Sequence, residues 1–292
     1  MGPSHAISGG AVWLAGCAAA TTTLGADLSW QAVVVGAVVC AGWALASDLD
    51  HPDSTVANYA GPVSRLAAHG IAWAGVRIHA ATRTRWDRPD EDGHRTFSHT
   101  AVYAVVMGVA AAAGGRYGGP WVAAVLVALA ADLAGDAALP GRWWDIPIKT
   151  GFRIRFMRRP WAKGLFGRTG QRWARNCRRV NIPTSTLLAA ALGWAAYQLT
   201  PADAWWLGLA VGTGVLVHCA GDMLTDSACP VAWPLPLGPP GQRRRWYPLG
   251  PPRWMRFHTD GLVERWLVRP ALVAGAAAST TVLLFPLIQE KT

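Results

Sequence analysis

Polar residues in this chain fall in clumps, and between the clumps run apolar tracts of roughly 15 to 20 residues with almost no charge. A helix needs about 20 apolar residues to cross the hydrocarbon core of a bilayer. Seven tracts approach that length, at approximately 6–24, 30–47, 98–114, 119–139, 184–199, 205–224 and 267–287. Helices of a soluble bundle carry a polar face, and these tracts mostly lack one. The pattern predicts an all-α fold: a polytopic transmembrane helical bundle of about seven spans, one membrane-embedded domain over residues 1–292.

The loops between the tracts are unequal. Those at about 25–29, 115–118 and 200–204 are short and hold one basic residue, Arg116. Those at 48–97, 140–183 and 225–266 are long and basic. Every Lys and Arg except Arg116 and Lys291 lies on the long-loop side, counting Arg269 at the start of the last tract. The positive-inside rule therefore predicts a multi-pass cell-membrane protein with its long loops and N-terminus in the cytoplasm and its C-terminus outside.

Composition agrees. The chain is 52% hydrophobic and 15% charged, against about 25% charged in ordinary soluble domains. The start, Met1-Gly2-Pro3-Ser4-His5, has no positive n-region, so the first apolar tract is expected to be retained. The five Cys are scattered, odd in number and without a CxxC pair. That argues against a disulfide framework or a Cys-rich zinc site, and leaves His and carboxylate to hold any metal.

The formal charge of +10 is concentrated in a basic, Trp/Arg-rich cytoplasmic insertion at 140–183. Its aromatics include Trp143, Trp144, Phe152, Phe156, Trp161, Phe166 and Trp173. Such a segment suits a helix at the headgroup layer, with membrane lipids as partners; a solvated insertion with ordinary charge bias is the other reading. Nothing in it resembles a nucleic-acid reading motif, which argues against nucleic acid as partner.

The chemistry-bearing residues sit at the tract ends. His5 precedes the first tract; Ser47-Asp48-Leu49-Asp50-His51-Pro52 closes the second. His94-Arg95-Thr96-Phe97-Ser98-His99 opens the third; His218 and Asp222 lie near the end of the sixth. With alternating spans, all of these reach one membrane face. His218 and Asp222 are four apart and share a helix face; they can hold an ion together or tie helices by a His–Asp hydrogen bond. Asp48 and Asp50 are two apart, so both serve one ion only if the helix unwinds there, which Pro52 favours. Arg95 suits a phosphate, whose oxygens a guanidinium grips in pairs. Asp132 and Asp136 also share a helix face and can either complete the site or pair with Arg of the next loop. The chain has no GxSxG elbow, Walker loop or HExxH motif.

The N-terminal His, the Asp48-Leu49-Asp50-His51-Pro52 stretch and the His94-Arg95-x-x-Ser98-His99 block resemble the YdjM-like family of predicted membrane-bound metal-dependent hydrolases. His218-Cys219-Ala220-Gly221-Asp222, Pro230, Trp233-Pro234, Tyr247-Pro248 and Glu264 are similar to its later blocks. The likeness covers most of 1–114 and 205–287 and departs at the His94 block, where the order of hydroxyl residues is exchanged. It implies that His5, Asp48, Asp50, His94, His99, His218 and Asp222 are metal-site residues. It also implies kinship with zinc-dependent phospholipases C and related zinc nucleases.

The resulting expectation is a membrane-bound hydrolase of phosphoesters, soluble or lipid-linked, at the cytoplasmic face. The expected cofactor is a divalent metal, zinc first, with manganese or iron as alternatives. Asp50 is the expected general base and Arg95 the phosphate holder. The alternative is a non-catalytic membrane protein that docks anionic lipid or a partner through its basic loop.

Overall fold

A computed structural model describes residues 2–51, 54, 62–90, 92–138, 182–226, 228–259 and 261–289. The insertion at 140–183 lies almost wholly outside these residues, as does the side chain of Asp136.

Every apolar tract is helical. The helices are α1 (Gly2–Leu24), α2 (Trp30–Ala46), α3 (Pro62–Thr82), α4 (Ala101–Ala138), α5 (Ile182–Leu199), α6 (Leu207–Met223) and α7 (Arg269–Gln289). A π-helical turn, Glu264–Val268, leads into α7. No β-strand occurs among the described residues. Three segments are long and apolar enough to cross a membrane: Gly2–Leu24, Trp30–Asp50 and Glu264–Phe285. Leu207–Met223 is apolar but shorter.

The third and fourth predicted tracts are joined in α4, which bends at Gly119 (φ 50°) and Pro120. A Cβ on Gly114 would lie 3.3 Å from a Val122 methyl. In a straight helix those residues stand ~12 Å apart along the axis, so the chain doubles back at Gly119. Only glycine adopts such backbone readily, and Pro120 starts the second half where it need not donate.

The packing is inside-out relative to a soluble protein. Large apolar side chains face outward, among them Val105, Val109, Trp121, Leu129, Leu209 and Phe285. Contacts between helices are made by small residues: Gly9 meets Cys40 and Ala44, Gly42 meets Ala130, Gly108 meets Gly208 and Gly212, and Gly214 meets Cys40. Lipid is as apolar as Leu, so membrane helices associate through close backbone approach, not through hiding large side chains. The mid-bundle core is Val35, Val39, Cys40, Leu126, Val127, Leu207 and Val211.

At one end of the bundle the chain is irregular. Residues 225–226 and 228–259 form a cap held by three isolated bridges, Thr225 with Phe257, Cys229 with Leu249, and Leu237 with Arg244. Asp87 fastens α3 to this cap by accepting from the Thr84, Arg245 and Trp246 backbone amides. Trp233 and Trp246 stack at 5.0 Å and both indole N–H groups reach the Thr82 hydroxyl. α3 turns its small residues, Ala68 and Ala72, inward and carries Leu66, Trp73 and Arg77 outward, the Arg77 guanidinium 5.4 Å from the Trp73 ring.

Candidate metal centre

The site lies at this same end, where α1, the first half of α4 and the π-turn begin and where α2 and α6 finish. α2 ends in a 3-10 turn, Ser47–Asp50. The winding is tighter than an α-helix and not the unwound end expected, and it sends the two carboxylates to different neighbours. It leaves Asp50 fully buried and the Asp48 side chain 28% exposed.

His218 is fixed by α2. A helix end leaves its last carbonyls without intrahelical donors. Ala44, in the last turn, accepts from His218 Nδ1 at 2.7 Å. A carbonyl can only accept, so Nδ1 carries the proton and the neutral ring presents a lone pair at Nε2.

His99 is fixed the same way. Its Nδ1 lies 3.2 Å from Asp50 Oδ2 and 3.1 Å from Ser98 Oγ, and the Ser98 hydroxyl itself donates to Asp50 at 2.5 Å. His99 Nδ1 is thus a donor, and its Nε2 points away from Asp50 toward His218 and Asp222. The two Nε2 atoms face one another at 3.1 Å. Asp222 Oδ2 lies 3.4 Å from His99 Nε2 and 3.8 Å from His218 Nε2, and Asp48 Oδ1 is 3.6 Å from His218 Nε2.

His5 enters from α1. Its ring stacks on His218 with centroids 4.2 Å apart, and its Nε2 is 3.4 Å from Asp222 Oδ1. The approach depends on Gly221: a Cβ there would stand 2.8 Å from His5 Cε1. Behind His5, buried Glu264 accepts hydrogen bonds from the Ser4 hydroxyl and from Arg269 Nη2 at 3.1 Å, while Arg269 Nε donates to Ser4 at 2.8 Å. This network joins the start of α1 to the start of α7.

Arg95 has φ 57°, a left-handed backbone uncommon outside glycine. The turn aims its amide at Asp50 Oδ2 (3.0 Å) and its Nε at Asp222 Oδ2 (3.2 Å). His94 Nδ1 donates to Asp50 Oδ1 at 2.8 Å. A cavity of about 250 Å³ opens on these groups, lined by His5, Asp48, His51, His94, Arg95 and Asp222, with Thr259 from the cap.

The donor set fits a divalent ion. Two imidazole nitrogens facing at 3.1 Å need a proton or a cation between them. Asp222 Oδ2 is buried and has no hydrogen bond of good geometry, an unusual state for a buried carboxylate oxygen. Ligand atoms around one tetrahedral zinc lie ~3.3 Å apart when each bond is ~2.0 Å, and the separations here bracket that value. His5, His218 and Asp222 form one group able to hold an ion; Asp48, His99 and His218 form a second.

Of the residues predicted from sequence, His5, Asp48, His99, His218 and Asp222 thus converge as potential ligands. Asp50 and His94 stand beside them instead. Both Asp50 oxygens are engaged, by His94 on one side and by Arg95, Ser98 and His99 on the other. Asp132 is half-buried and has a partner of its own, and it belongs to neither group able to hold an ion nor to the cavity wall. His51, at the cavity wall 4.6 Å from the His94 ring, was not among the predicted site residues, although it directly follows the two Asp. Neither Ser98 nor the Ser4–Glu264–Arg269 network was predicted as part of the site. The available signal was a single acid, Glu264, placed just before a span.

Fold and site together define an all-helical membrane protein with a buried His/Asp cluster able to bind metal. The chain matches the YdjM inner membrane protein family over residues 1–183 and belongs to that family. The matched region includes the basic segment at 140–183 and the candidate ligands up to His99. Neither the curated proteins nor the solved structures contain a match.

Proposed function

We propose that this inner membrane protein is a metal-dependent hydrolase of phosphoesters whose site faces the cytoplasm. The observation that carries the reading is the pair of Nε2 atoms, His99 and His218, that face one another at 3.1 Å beside the buried Asp222 Oδ2, which is ion-paired to Arg95 but accepts no hydrogen bond of good geometry. His218, His99, Asp222, His5 and Asp48 would hold the ion, zinc first. A divalent ion so held supplies Lewis acidity and lowers the pKa of water toward ~7.

The protein groups divide the remaining work. Asp50 holds His94 and His99 in the tautomers that leave Nε2 free, as carboxylates do behind metal-binding histidines. Since its oxygens are both committed, it acts as an orienting group in this reading, and Asp48, through the oxygen that does not hold the ion, is the carboxylate that would accept a proton from water. Arg95, ion-paired to Asp222 through Nε at 3.2 Å, offers its outer N–H groups to phosphate oxygens. The water oxygen adds to phosphorus, the P–O bond to the alcohol breaks, and the proton passes to the departing oxygen. The distribution of Lys and Arg supports the cytoplasmic placement.

The test is metal content by mass spectrometry of detergent-purified protein beside His218→Ala. Stoichiometric zinc, manganese or iron in the parent and its loss in the variant are expected. A folded parent that stays metal-free after all three are added means a proton joins the two rings, and the hydrolase reading falls.

A further inference from the structure

The cavity opens next to a segment that is apolar on its outside and leads directly into a spanning helix. Thr259 belongs to the cavity wall. Five residues later Glu264 begins the segment able to cross a membrane. Five residues of chain reach at most ~18 Å, so the cavity mouth lies close to the membrane surface. On either side of Thr259 the large apolar side chains point outward: Trp254 is 82% exposed and Met255 53%, and Leu262 and Trp266 are 76% and 78% exposed. Arg253 and Arg265 punctuate the same stretch. Trp among Arg at the start of a span is the composition of the headgroup layer, where the ring lies in the interface and the cation meets phosphate. The covering of this ridge is therefore the lipid of the protein's own membrane, continuous with the lipid around α7.

We infer that the substrate is an amphiphilic phosphoester of the same leaflet, which enters sideways over the Trp254–Met255–Leu262–Trp266 ridge. This rests on the hydrolase reading and names its substrate class. The phosphate moves into the cavity toward Arg95 while the apolar chains stay along the ridge, outside the protein. A 250 Å³ cavity suits that division, because it accommodates a headgroup and not two acyl chains. Hydrolysis consumes one water and yields a phosphate product and an alcohol, with no further reactant.

The experiment uses the full chain, metal-loaded, in nanodiscs of palmitoyl-oleoyl phosphatidylglycerol, with bis(p-nitrophenyl) phosphate as the soluble comparison. The Trp254→Ser/Met255→Ser variant and Leu262→Ser should lose tenfold or more in lipid turnover while the soluble ester is cleaved within twofold of the parent rate. Equal lipid turnover in parent and variants overturns the inference. So does cleavage of the soluble ester alone, which leaves the hydrolase standing. Cleavage of neither removes the hydrolase and the substrate assignment together. A nitroxide on Met255→Cys, in a Cys177→Ser background, reads the ridge without catalysis. Relaxation by oxygen above that by a water-soluble nickel chelate is expected, and the reverse order overturns the entry route.

Discussion

His99 and His218 meet through their Nε2 atoms at 3.1 Å, although 119 residues separate them in the chain. Each ring is turned to that position by a proton given away at its far nitrogen, one to the Ala44 carbonyl and the other toward Asp50 and Ser98. The centre is thus built from behind. Groups on the far side of each ring decide which nitrogen faces the other ring.

Asp50→Asn tests this arrangement. The amide cannot accept from His94, Arg95, Ser98 and His99 as the carboxylate does, so both rings lose their fixed tautomer. Metal affinity should fall roughly 10- to 100-fold, the usual cost of losing a partner behind a ligand. Competition titration with a chromophoric chelator measures it. Unchanged affinity with abolished turnover would restore Asp50 as a general base.

Arg95 couples a strained backbone to a functional side chain. Arg95→Gly and Arg95→Ala both remove the guanidinium, but only glycine relaxes at φ 57°. The Gly variant should be more stable than the Ala variant by about 1 kcal/mol. Both should lose phosphoester turnover. Thermal unfolding in detergent, compared between the two variants, isolates the backbone contribution.

Gly42 is the point where α2 crosses the second half of α4. A Cβ at Gly42 would collide with the backbone and side chain of Ala130. Gly42→Ala should cost about 1–3 kcal/mol by overpacking, read as a lowered Tm. An unchanged Tm would show that the two helices separate freely.

His79 gives a pH dependence away from the site. Burial against Trp246 pulls its pKa below the ordinary 6.5; Asp90 and Asp87 partly oppose this, and Arg83 adds to the lowering. The folded protein therefore binds the proton less readily than the unfolded chain. Stability from this group is complete above pH 6.5 and declines as pH falls below it. Protection factors at residues 233–246, which correct exchange for its intrinsic pH dependence, should fall as pH drops from about 6.5 to 5, and His79→Gln should flatten that change.

The sequence determined that the chain is a helical membrane protein, because apolar length is a local property that bilayer thickness tests directly. It also placed the polar residues at one end, since spans alternate in direction and the His and Asp clumps sit at alternating tract ends. Those facts named His5, Asp48, Asp50, His94 and Asp222 around the two histidines, but not Ser98 or the Ala44 carbonyl that hold their far nitrogens. What only the tertiary structure decided is which of them point inward. The 3-10 turn at Ser47–Asp50 parts Asp48 from Asp50, one toward the cavity and the other buried behind the rings. The left-handed backbone at Arg95 brings one residue to both Asp50 and Asp222. Gly221 admits His5, and Glu264 with Arg269 anchors the serine before it. Each depends on how helices are rotated and how closely their backbones approach, and hydrophobic periodicity does not encode rotation when a helix is apolar on every side.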